Sequence, residues 1–250
     1  MSLLIDTNVL LRLASPNGGV LGLSYGRFRM ANETKRANIG CGRSPTEGWL
    51  NFDNSLSVRF ARSRPLLATL RHLRLASHDS ILFGETARAK EVRWANACKR
   101  IPVSDESLEV VYSSHLLEHL DSHETERFLR EIHRSLEPGG IIRLAVPDLK
   151  RRIESYMRTG DADAFMRSLN IRAHNARDLR DKIRLLFLGD RAHRWMYDAA
   201  SLKELLARFH FTEAREMRPG ETTIPDSGSL DLREREQESI YVEARKASLT

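Results

Sequence analysis

The sequence predicts an α/β fold in which a seven-stranded, mostly parallel sheet carries helices on both faces. From Asn38 onward, short apolar runs alternate with amphipathic stretches, the pattern produced by successive β-α-β units. A hydrophobic content of 41% in 250 residues is sufficient for a substantial core. The apolar runs place the strands at residues 35–39, 49–53, 91–95, 108–113, 141–146, 212–217 and 239–244.

Two amphipathic segments predict helices that pack on this sheet. In residues 124–136 the apolar side chains recur at helical spacing, and the sequence Glu137-Pro138-Gly139-Gly140 is expected to end the helix. A second helix is expected to begin at Ser201, with Glu204 three residues later completing a capping box. A strand follows each of these helices directly, as the β-α-β pattern requires.

The other segments predict one domain with an extension and an insertion. Residues 1–30 include a stretch rich in Gly, Pro, Asn and Ser, and are expected to be an N-terminal extension of a domain at 31–250. Residues 150–191 are strongly charged and predict a helical insertion before the sixth strand. Since ligands of open α/β sheets bind at the carboxyl edge, the insertion is expected to cover a site there.

Composition and charge narrow the class of protein. The two cysteines, Cys41 and Cys98, are too few for a disulfide framework and form no CxxC pair. Asp6 and Arg12 interrupt the apolar N-terminus, and no apolar run is long enough to span a membrane, so a soluble, cytoplasmic protein is expected. The net charge of +6 is spread among acidic residues, which leaves a nucleic-acid partner open without favouring it.

A glycine-containing turn follows the first predicted strand. In Asn38-Ile39-Gly40-Cys41-Gly42, the two glycines allow backbone N–H groups to approach a ligand closely. Asp53 ends the next apolar run, where an acidic side chain can accept both hydroxyls of a ribose. The third glycine of the dinucleotide fingerprint is replaced by Ser44, so these residues alone are equally compatible with a simple tight turn.

Five segments in order resemble the motifs of class I methyltransferases that depend on S-adenosylmethionine (SAM). They are residues 38–42, the GWLNFD segment at 48–53, residues 100–112, SSHLLEHL at 113–120 and LEPGG at 136–140. The similarity covers about residues 35–149 and is closest to methyltransferases of type 11. Residues 192–211 and 239–246 resemble the C-terminal part of a bacterial subgroup often linked to surface-glycan synthesis.

The resemblance implies a Rossmann-like fold and S-adenosylmethionine as cofactor. Gly40 and Gly42 would pass beneath its methionine portion, and Asp53 would hold its ribose. The full set of implied cofactor-binding residues is Asn38, Gly40, Cys41, Gly42, Asp53, Asn96, Ala97 and His115. At positions 38 and 96 many members of the family carry an acidic residue, and loss of that charge would weaken attraction for the cofactor's amino group.

Residue spacing and composition indicate candidate residues on the acceptor side. His115, Glu118 and His119 follow the fourth strand and would share one face of a helix as an acid/base cluster, with His119 taking a proton from a hydroxyl. A capping or packing role for His119 is the alternative. Four residues after the insertion have a composition suited to binding a sugar or another polar acceptor: His193, Arg194, Trp195 and Tyr197. Packing alone would equally explain Trp195.

The expected function is therefore methyl transfer to a polar small-molecule or glycan acceptor, with O-methylation favoured and no metal required. Two alternatives within the same fold are a nucleic-acid methyltransferase and a SAM-binding protein without transferase activity. Read alone, His115-Leu116-Leu117-Glu118-His119 matches the HxxEH zinc-hydrolase pattern, but it directly follows a predicted strand. The Leu4–Leu11 segment with Asp6 resembles the first strand of PIN-type nucleases, whose further acidic residues are not in place.

Overall fold

Seven strands form one sheet in a computed structural model of the chain, which describes residues 35–60, 78–171 and 192–248. The predicted N-terminal extension, the PIN-like segment, and the 172–191 part of the expected insertion lie outside the described residues. The strands are β1 Arg36–Ile39, β2 Leu50–Asp53, β3 Arg93–Trp94, β4 Leu108–Ser114, β5 Leu136–Pro147, β6 Phe211–Met217 and β7 Ser239–Lys246.

The order in which the strands are added reverses at the middle of the sheet, between β1 and β4. The order is β3-β2-β1-β4-β5-β7-β6, with β1 to β5 mutually parallel and β7 antiparallel to both β5 and β6. This confirms the predicted seven-stranded, mostly parallel, Rossmann-like sheet. The chain leaves β1 toward β2 on one side and returns as β4 on the other, so the crevice between β1 and β4 is where such sheets bind ligands.

The helices within the described residues are α1 Leu56–Phe60, α2 His78–Ala89, α3 Ser122–Ser135, α4 Leu149–Thr159, α5 Ala162–Leu169 and α6 Ala199–Arg208. Helices α4 and α5 fall in the expected insertion before the sixth strand. The structure has no helix, among the residues that it describes, that is long and apolar enough to cross a membrane.

The main core lies where α3 and α6 pack on one face of the sheet. Phe128, Leu129 and Ile132 of α3 are fully buried, because their spacing places them on the same side of the helix. Leu202 and Leu206 of α6 are buried in the same cluster. Burial of these apolar faces against the strands is what holds both helices in place.

The opposite face of the central strands packs against an irregular segment at 218–238. Ile224 and Leu230 from this segment are buried against Tyr112 of β4, Ala145 of β5 and Tyr241 of β7. On the same face, the guanidinium of Arg143 is fully buried and pairs at 2.6 Å with Glu243 on the neighbouring strand. The two Thr side chains of 222–223 also donate to Glu243, which links the irregular segment to the sheet.

Several predicted element boundaries were wrong by a few residues. Helix α6 begins at Ala199 rather than Ser201, because Asp198 is its N-cap and accepts the Ser201 N–H at 2.7 Å. Ser201 occupies the third helical position and its hydroxyl accepts the Asp198 N–H, so the capping box exists three residues earlier. The third strand is shorter than predicted, and the fifth is longer because strand pairing resumes at Leu136.

Gly140 explains why the Pro138-Gly139-Gly140 sequence lies inside the fifth strand and not in a separate turn. A Cβ at this position would lie 2.9 Å from the Glu137 carbonyl oxygen and 3.1 Å from that of Leu108. Only glycine therefore fits at the register shift between β4 and β5.

Candidate active site

The glycine turn lies at the carboxyl end of β1, fastened to β2. The N–H groups of Gly40 and Cys41 donate to the Phe52 carbonyl at 2.8 and 3.1 Å, and the Gly42 N–H donates to the Asp53 carboxylate at 3.1 Å. Both Gly40 and Gly42 have a positive φ, +69° and +50°, which glycine adopts more readily than any other residue. The turn and the predicted ribose acceptor are therefore one hydrogen-bonded unit.

The surroundings of the two glycines differ. A Cβ on Gly40 would lie 3.0 Å from Leu116, so the segment after β4 packs directly against the turn. Among the described residues, a Cβ on Gly42 would meet nothing nearer than the Gly40 carbonyl oxygen at 3.9 Å. The space beside Gly42 is the part of the turn that a ligand can approach.

Asn38 has a structural role that accounts for the absence of an acidic residue at this position. Its side chain is 2% exposed, and its amide donates to the Ser44 carbonyl at 3.1 Å and to the Thr46 hydroxyl at 3.0 Å. A carboxylate has no proton with which to make the bond to the carbonyl. The amide therefore fixes the loop that follows the glycine turn.

Asn96 and Ala97, which the resemblance implies as cofactor-binding residues, shape the loop after β3. The Asn96 side chain accepts the Cys98 N–H at 2.9 Å, and Ala97 is buried. Asp53 pairs in register with Trp94, a residue that the sequence reasoning did not select. The Trp94 ring is 40% exposed, donates to the Asn54 carbonyl at 3.0 Å and lies under the Arg59 guanidinium at 4.8 Å. A tryptophan two residues before the predicted Asn96-Ala97 pair was the signal that could have identified it.

The prediction that His115, Glu118 and His119 share a helix face was wrong. Strand β4 ends at Ser114, His115 has a φ of +49°, and only a short 3-10 turn, Leu117–His119, follows. The three side chains meet nevertheless: His115 Nδ1 lies 3.0 Å and His119 Nε2 lies 3.9 Å from Oε1 of Glu118. The short 3-10 turn, and not an α-helix, brings the two imidazoles to one fully buried carboxylate.

Hydrogen bonds outside the cluster fix which ring nitrogens are engaged. His115 Nε2 lies 2.8 Å from the hydroxyl of Ser239, at the start of β7, so both its ring nitrogens have protein partners. His119 Nδ1 donates to the Ala192 carbonyl at 3.1 Å, which leaves Nε2 as the lone-pair nitrogen of the neutral ring. The His119 side chain is 26% exposed and is the accessible member of the cluster. Ser239 carried no sequence signal, because it lies 124 residues from His115.

The segment 192–197 folds back over this cluster. The N–H groups of Arg194 and Trp195 donate to the Glu118 carbonyl at 2.7 and 3.2 Å, and the His193 ring lies edge-on to His119 with centroids 5.2 Å apart. Trp195 is 59% exposed, which suits contact with an acceptor. Tyr197 is only 5% exposed and packs in the main core, so its expected contact with an acceptor conflicts with its burial.

Arg194 forms ion pairs with α3 and its cap. Its guanidinium lies 3.0 Å from Glu124 and 3.5 Å from Asp121, both partly exposed. These contacts hold the 192–197 segment beside the amino end of α3. The four residues predicted for acceptor binding therefore separate into one buried ring and three side chains near the His119 cluster.

Residues 38–144 match a family model described as a methyltransferase domain. This segment is a methyltransferase domain. It contains the end of β1, the strands β2, β3 and β4, the glycine turn and the His115-Glu118-His119 cluster, which agrees with the resemblance of the motifs. The match supports methyl transfer as the activity of this segment and S-adenosylmethionine as its cofactor.

Several solved methyltransferases have distant structural similarity to this chain. A SAM-dependent methyltransferase from Thermotoga maritima is 16% identical, with 87% of this chain and 84% of that one covered and a TM-score of 0.44. One from Methanosarcina mazei is 16% identical, with 88% and 95% covered and a TM-score of 0.46. Phosphoethanolamine N-methyltransferase 2 of Haemonchus contortus, in complex with S-adenosylmethionine, is 13% identical, with 88% and 50% covered and a TM-score of 0.45. No curated protein matches the sequence. Similarities at this level carry no information about the acceptor.

The chemistry of the glycine turn in this methyltransferase domain fits the cofactor. The Asp53 carboxylate is half-buried at the strand end, and the space beside Gly42 is open. Burial and the nearby Asp53 carboxylate raise the pKa of the Cys41 thiol, and burial raises the pKa of Cys98 to about 11. Both thiols stay protonated at neutral pH, so neither acts as a nucleophile here.

Proposed function

We propose that this methyltransferase transfers the methyl group to a hydroxyl of a polar small molecule or glycan. The observation that carries the proposal is the partly exposed His119 side chain, which belongs to a His-Glu-His cluster beside the glycine turn and whose Nδ1 is held by the Ala192 carbonyl. Leu116, between the turn and the cluster, makes the contact that brings the two together. A hydroxyl is the acceptor that benefits most from a neighbouring group able to take its proton.

On the cofactor side, S-adenosylmethionine supplies an electrophilic methyl group. We assign its binding to Gly40 and Gly42 of the glycine turn, to Asp53 at the end of β2, and to Asn96 and Ala97 after β3. The buried Asn38 and Cys41 support the turn. His115 approaches from the end of β4. Asp53 accepts the ribose hydroxyls, and Gly42 keeps the adjacent space open. Positioning of the two reactants is the main contribution of such a site, since methyl transfer needs the acceptor in line with the methyl group.

On the acceptor side, His119 accepts a hydrogen bond from the hydroxyl through Nε2. The Ala192 carbonyl holds the opposite ring nitrogen, which fixes the orientation of the ring. Glu118 stabilises positive charge that develops on His119, and His115 orients Glu118 through its bond to Oε1. His119 is therefore the proposed catalytic residue, and His115 and Glu118 act through it.

The 192–195 segment supplies a surface for a polar acceptor. The exposed Trp195 ring offers a flat apolar face of the kind that stacks on sugars, and His193 and Arg194 offer polar groups beside it. A nucleic-acid acceptor is less favoured, since the basic residues at the start of α4 are matched by acidic partners: Arg151 pairs with Asp148 and Arg152 with Glu238. The HxxEH hydrolase pattern is also disfavoured, because both ring nitrogens of His115 are engaged by protein groups.

A methylation screen with radiolabelled S-adenosylmethionine tests the proposal. The acceptors are sugars, nucleotide sugars, small polar metabolites and, as a separate arm, RNA. We expect label on a hydroxyl oxygen, with at least about a hundredfold lower turnover for His119→Ala and unchanged turnover for His123→Ala, a substitution of an exposed histidine on α3. Label on nitrogen or on RNA, or full turnover by the His119 variant, would contradict the proposal.

A further inference from the structure

Three side chains at the acceptor side form a cluster with the composition of a metal site. Glu118, His119 and His193 each offer one ligand atom, and these atoms all lie within 4.8 Å of one another. His119 and Glu118 come from the turn after β4, and His193 from the segment before α6. The backbone bonds of Arg194 and Trp195 to the Glu118 carbonyl hold the two segments together.

Two buried polar atoms of this cluster lack a hydrogen-bond partner within the described part of the chain. They are Oε2 of Glu118, whose side chain is 0% exposed, and Nδ1 of His193. A buried carboxylate oxygen and a buried imidazole nitrogen are costly when unpaired, so native structures normally satisfy them. A cation bound by the cluster would offer both groups a partner, and His119 Nε2 lies 3.9 Å from Oε1 of the same carboxylate.

His115 supports the cluster without being a ligand. Its Nδ1 binds Glu118 Oε1 at 3.0 Å while Ser239 holds its Nε2 at 2.8 Å. His119 Nδ1 is held in the same manner by the Ala192 carbonyl. Such outer hydrogen bonds orient the ligands in metal sites, where they fix carboxylate position and imidazole tautomer. The pair of histidines that would bind the ion is thus His119 and His193, and not the pair in the HxxEH pattern.

We propose that Glu118, His119 and His193 bind a divalent first-row transition-metal cation. Two imidazole nitrogens and one carboxylate oxygen suit Zn²⁺ or Mn²⁺ and leave positions open for an exogenous oxygen, whereas Mg²⁺ prefers oxygen ligands throughout. Ligands at about 2.0–2.2 Å from Zn²⁺ lie roughly 3.5 Å apart in a tetrahedron. Side-chain rotations that bring the atoms about 1 Å closer therefore complete the site.

The proposed ion has a consequence for the acceptor, and this part rests on the proposed function. An acceptor hydroxyl in an open coordination position is polarised by the cation, which lowers the pKa of the hydroxyl. The ion then replaces the direct hydrogen bond between the hydroxyl and His119 Nε2, His119 acts as a ligand, and the proton of the hydroxyl is released to solvent water as its oxygen takes the methyl group.

Cobalt titration of the full-length protein, after removal of metals with a chelator, tests the site. We expect one equivalent of Co²⁺ to produce visible absorption bands of a low-coordinate site, and Zn²⁺ but not Mg²⁺ to displace it. His193→Ala and His119→Ala should each weaken Co²⁺ binding at least about tenfold, and His123→Ala should leave it unchanged. Glu118→Gln keeps the shape of the buried side chain without its charge, and should abolish binding in a protein whose circular dichroism matches the wild type.

The possible outcomes distinguish the metal-site proposal from the methyltransferase proposal. Failure of the folded wild type to bind Co²⁺ saturably, or wild-type affinity in both histidine variants, overturns the metal site. Cofactor affinity, measured by calorimetry on the metal-free protein, reports on the methyltransferase site independently. Methyl transfer that proceeds at the same rate with and without Zn²⁺ or Mn²⁺ overturns the role of the ion toward the acceptor.

Discussion

The two glycines of the turn share a left-handed backbone conformation but have different neighbours. Gly40 packs against Leu116, which belongs to the segment that carries His115 and Glu118. Gly42 has no described side chain within 4 Å of its Cβ position and hydrogen-bonds to Asp53. One glycine therefore permits a contact within the protein, and the other permits approach by a ligand.

This difference predicts unequal effects of two matched substitutions. Gly40→Ala and Gly42→Ala each place a Cβ at positive φ, which costs about 1–2 kcal/mol. Gly40→Ala also forces the new Cβ into contact with Leu116, at an additional cost of about 1–3 kcal/mol. Urea denaturation should therefore show a greater loss of unfolding free energy for Gly40→Ala. A loss equal to that of Gly42→Ala, or one unchanged when Leu116→Ala is added, would show that the packing argument is wrong.

Single residues also mark where sequence reasoning reached its limit. Gly40, Gly42 and Asp53 could be selected from the sequence, because the two glycines follow one predicted strand and the acidic residue ends the next. The structural role of Asn38 was not predictable, because its partners, Ser44 and Thr46, lie in a loop without a repeating pattern.

Among the helices, α6 has a cap whose strength depends on pH. The Asp198 carboxylate accepts the N–H of Ser201, and this bond holds the pKa of Asp198 below its usual value of 3.8. A lowered pKa means that the stabilisation is fully present above pH 3.8 and is lost as the pH falls through the folded-state value. The helix supports the core through Leu202 and Leu206, so its cap affects global stability.

The cap predicts a measurable loss of stability in two variants. Asp198→Ala should lower the unfolding free energy by about 0.5–2 kcal/mol at pH 7. Asp198→Asn retains a capping oxygen that does not titrate, so it should remain close to the wild type at pH 7 and gain relative to it in acid. Chemical denaturation at pH 7 and at a pH below 3.8 measures both differences. An Asp198→Ala protein as stable as the wild type at pH 7 would contradict the assigned cap.

Element existence was predictable from apolar periodicity, whereas the turn after β4 was not. The spacing of His115, Glu118 and His119 is that of a helix, and the side chains do converge. They do so through a positive φ at His115 and a short 3-10 turn, a combination for which periodicity has no signal. The start of helix α6 was predicted too late in the sequence, because Asp198 and Ser201 both have side chains that can cap a helix and periodicity does not choose between them.

At the scale of the molecule, the candidate site combines segments that are far apart in the sequence. Strands β1, β2 and β4 supply the glycine turn, Asp53 and the Glu118 cluster at one edge of the sheet. Residues 192–195 and Ser239 reach the same cluster from the C-terminal third of the chain. The parallel sheet was predictable from the β-α-β pattern, but these long-range contacts depend on the packing of β7 beside β5.

The central claim is that the glycine turn and Asp53 hold S-adenosylmethionine, and calorimetric titration of the full-length protein tests it most directly. We expect one equivalent of cofactor to bind the wild type. Asp53→Ala should bind about tenfold to a hundredfold more weakly, because each lost bond to a charged group is worth about 1.5–3 kcal/mol. Asp53→Asn should fall between the two, and Asp163→Ala, an exposed substitution on α5, should match the wild type. Absence of binding to the folded wild type, or unchanged affinity in a folded Asp53→Ala protein, would contradict the account.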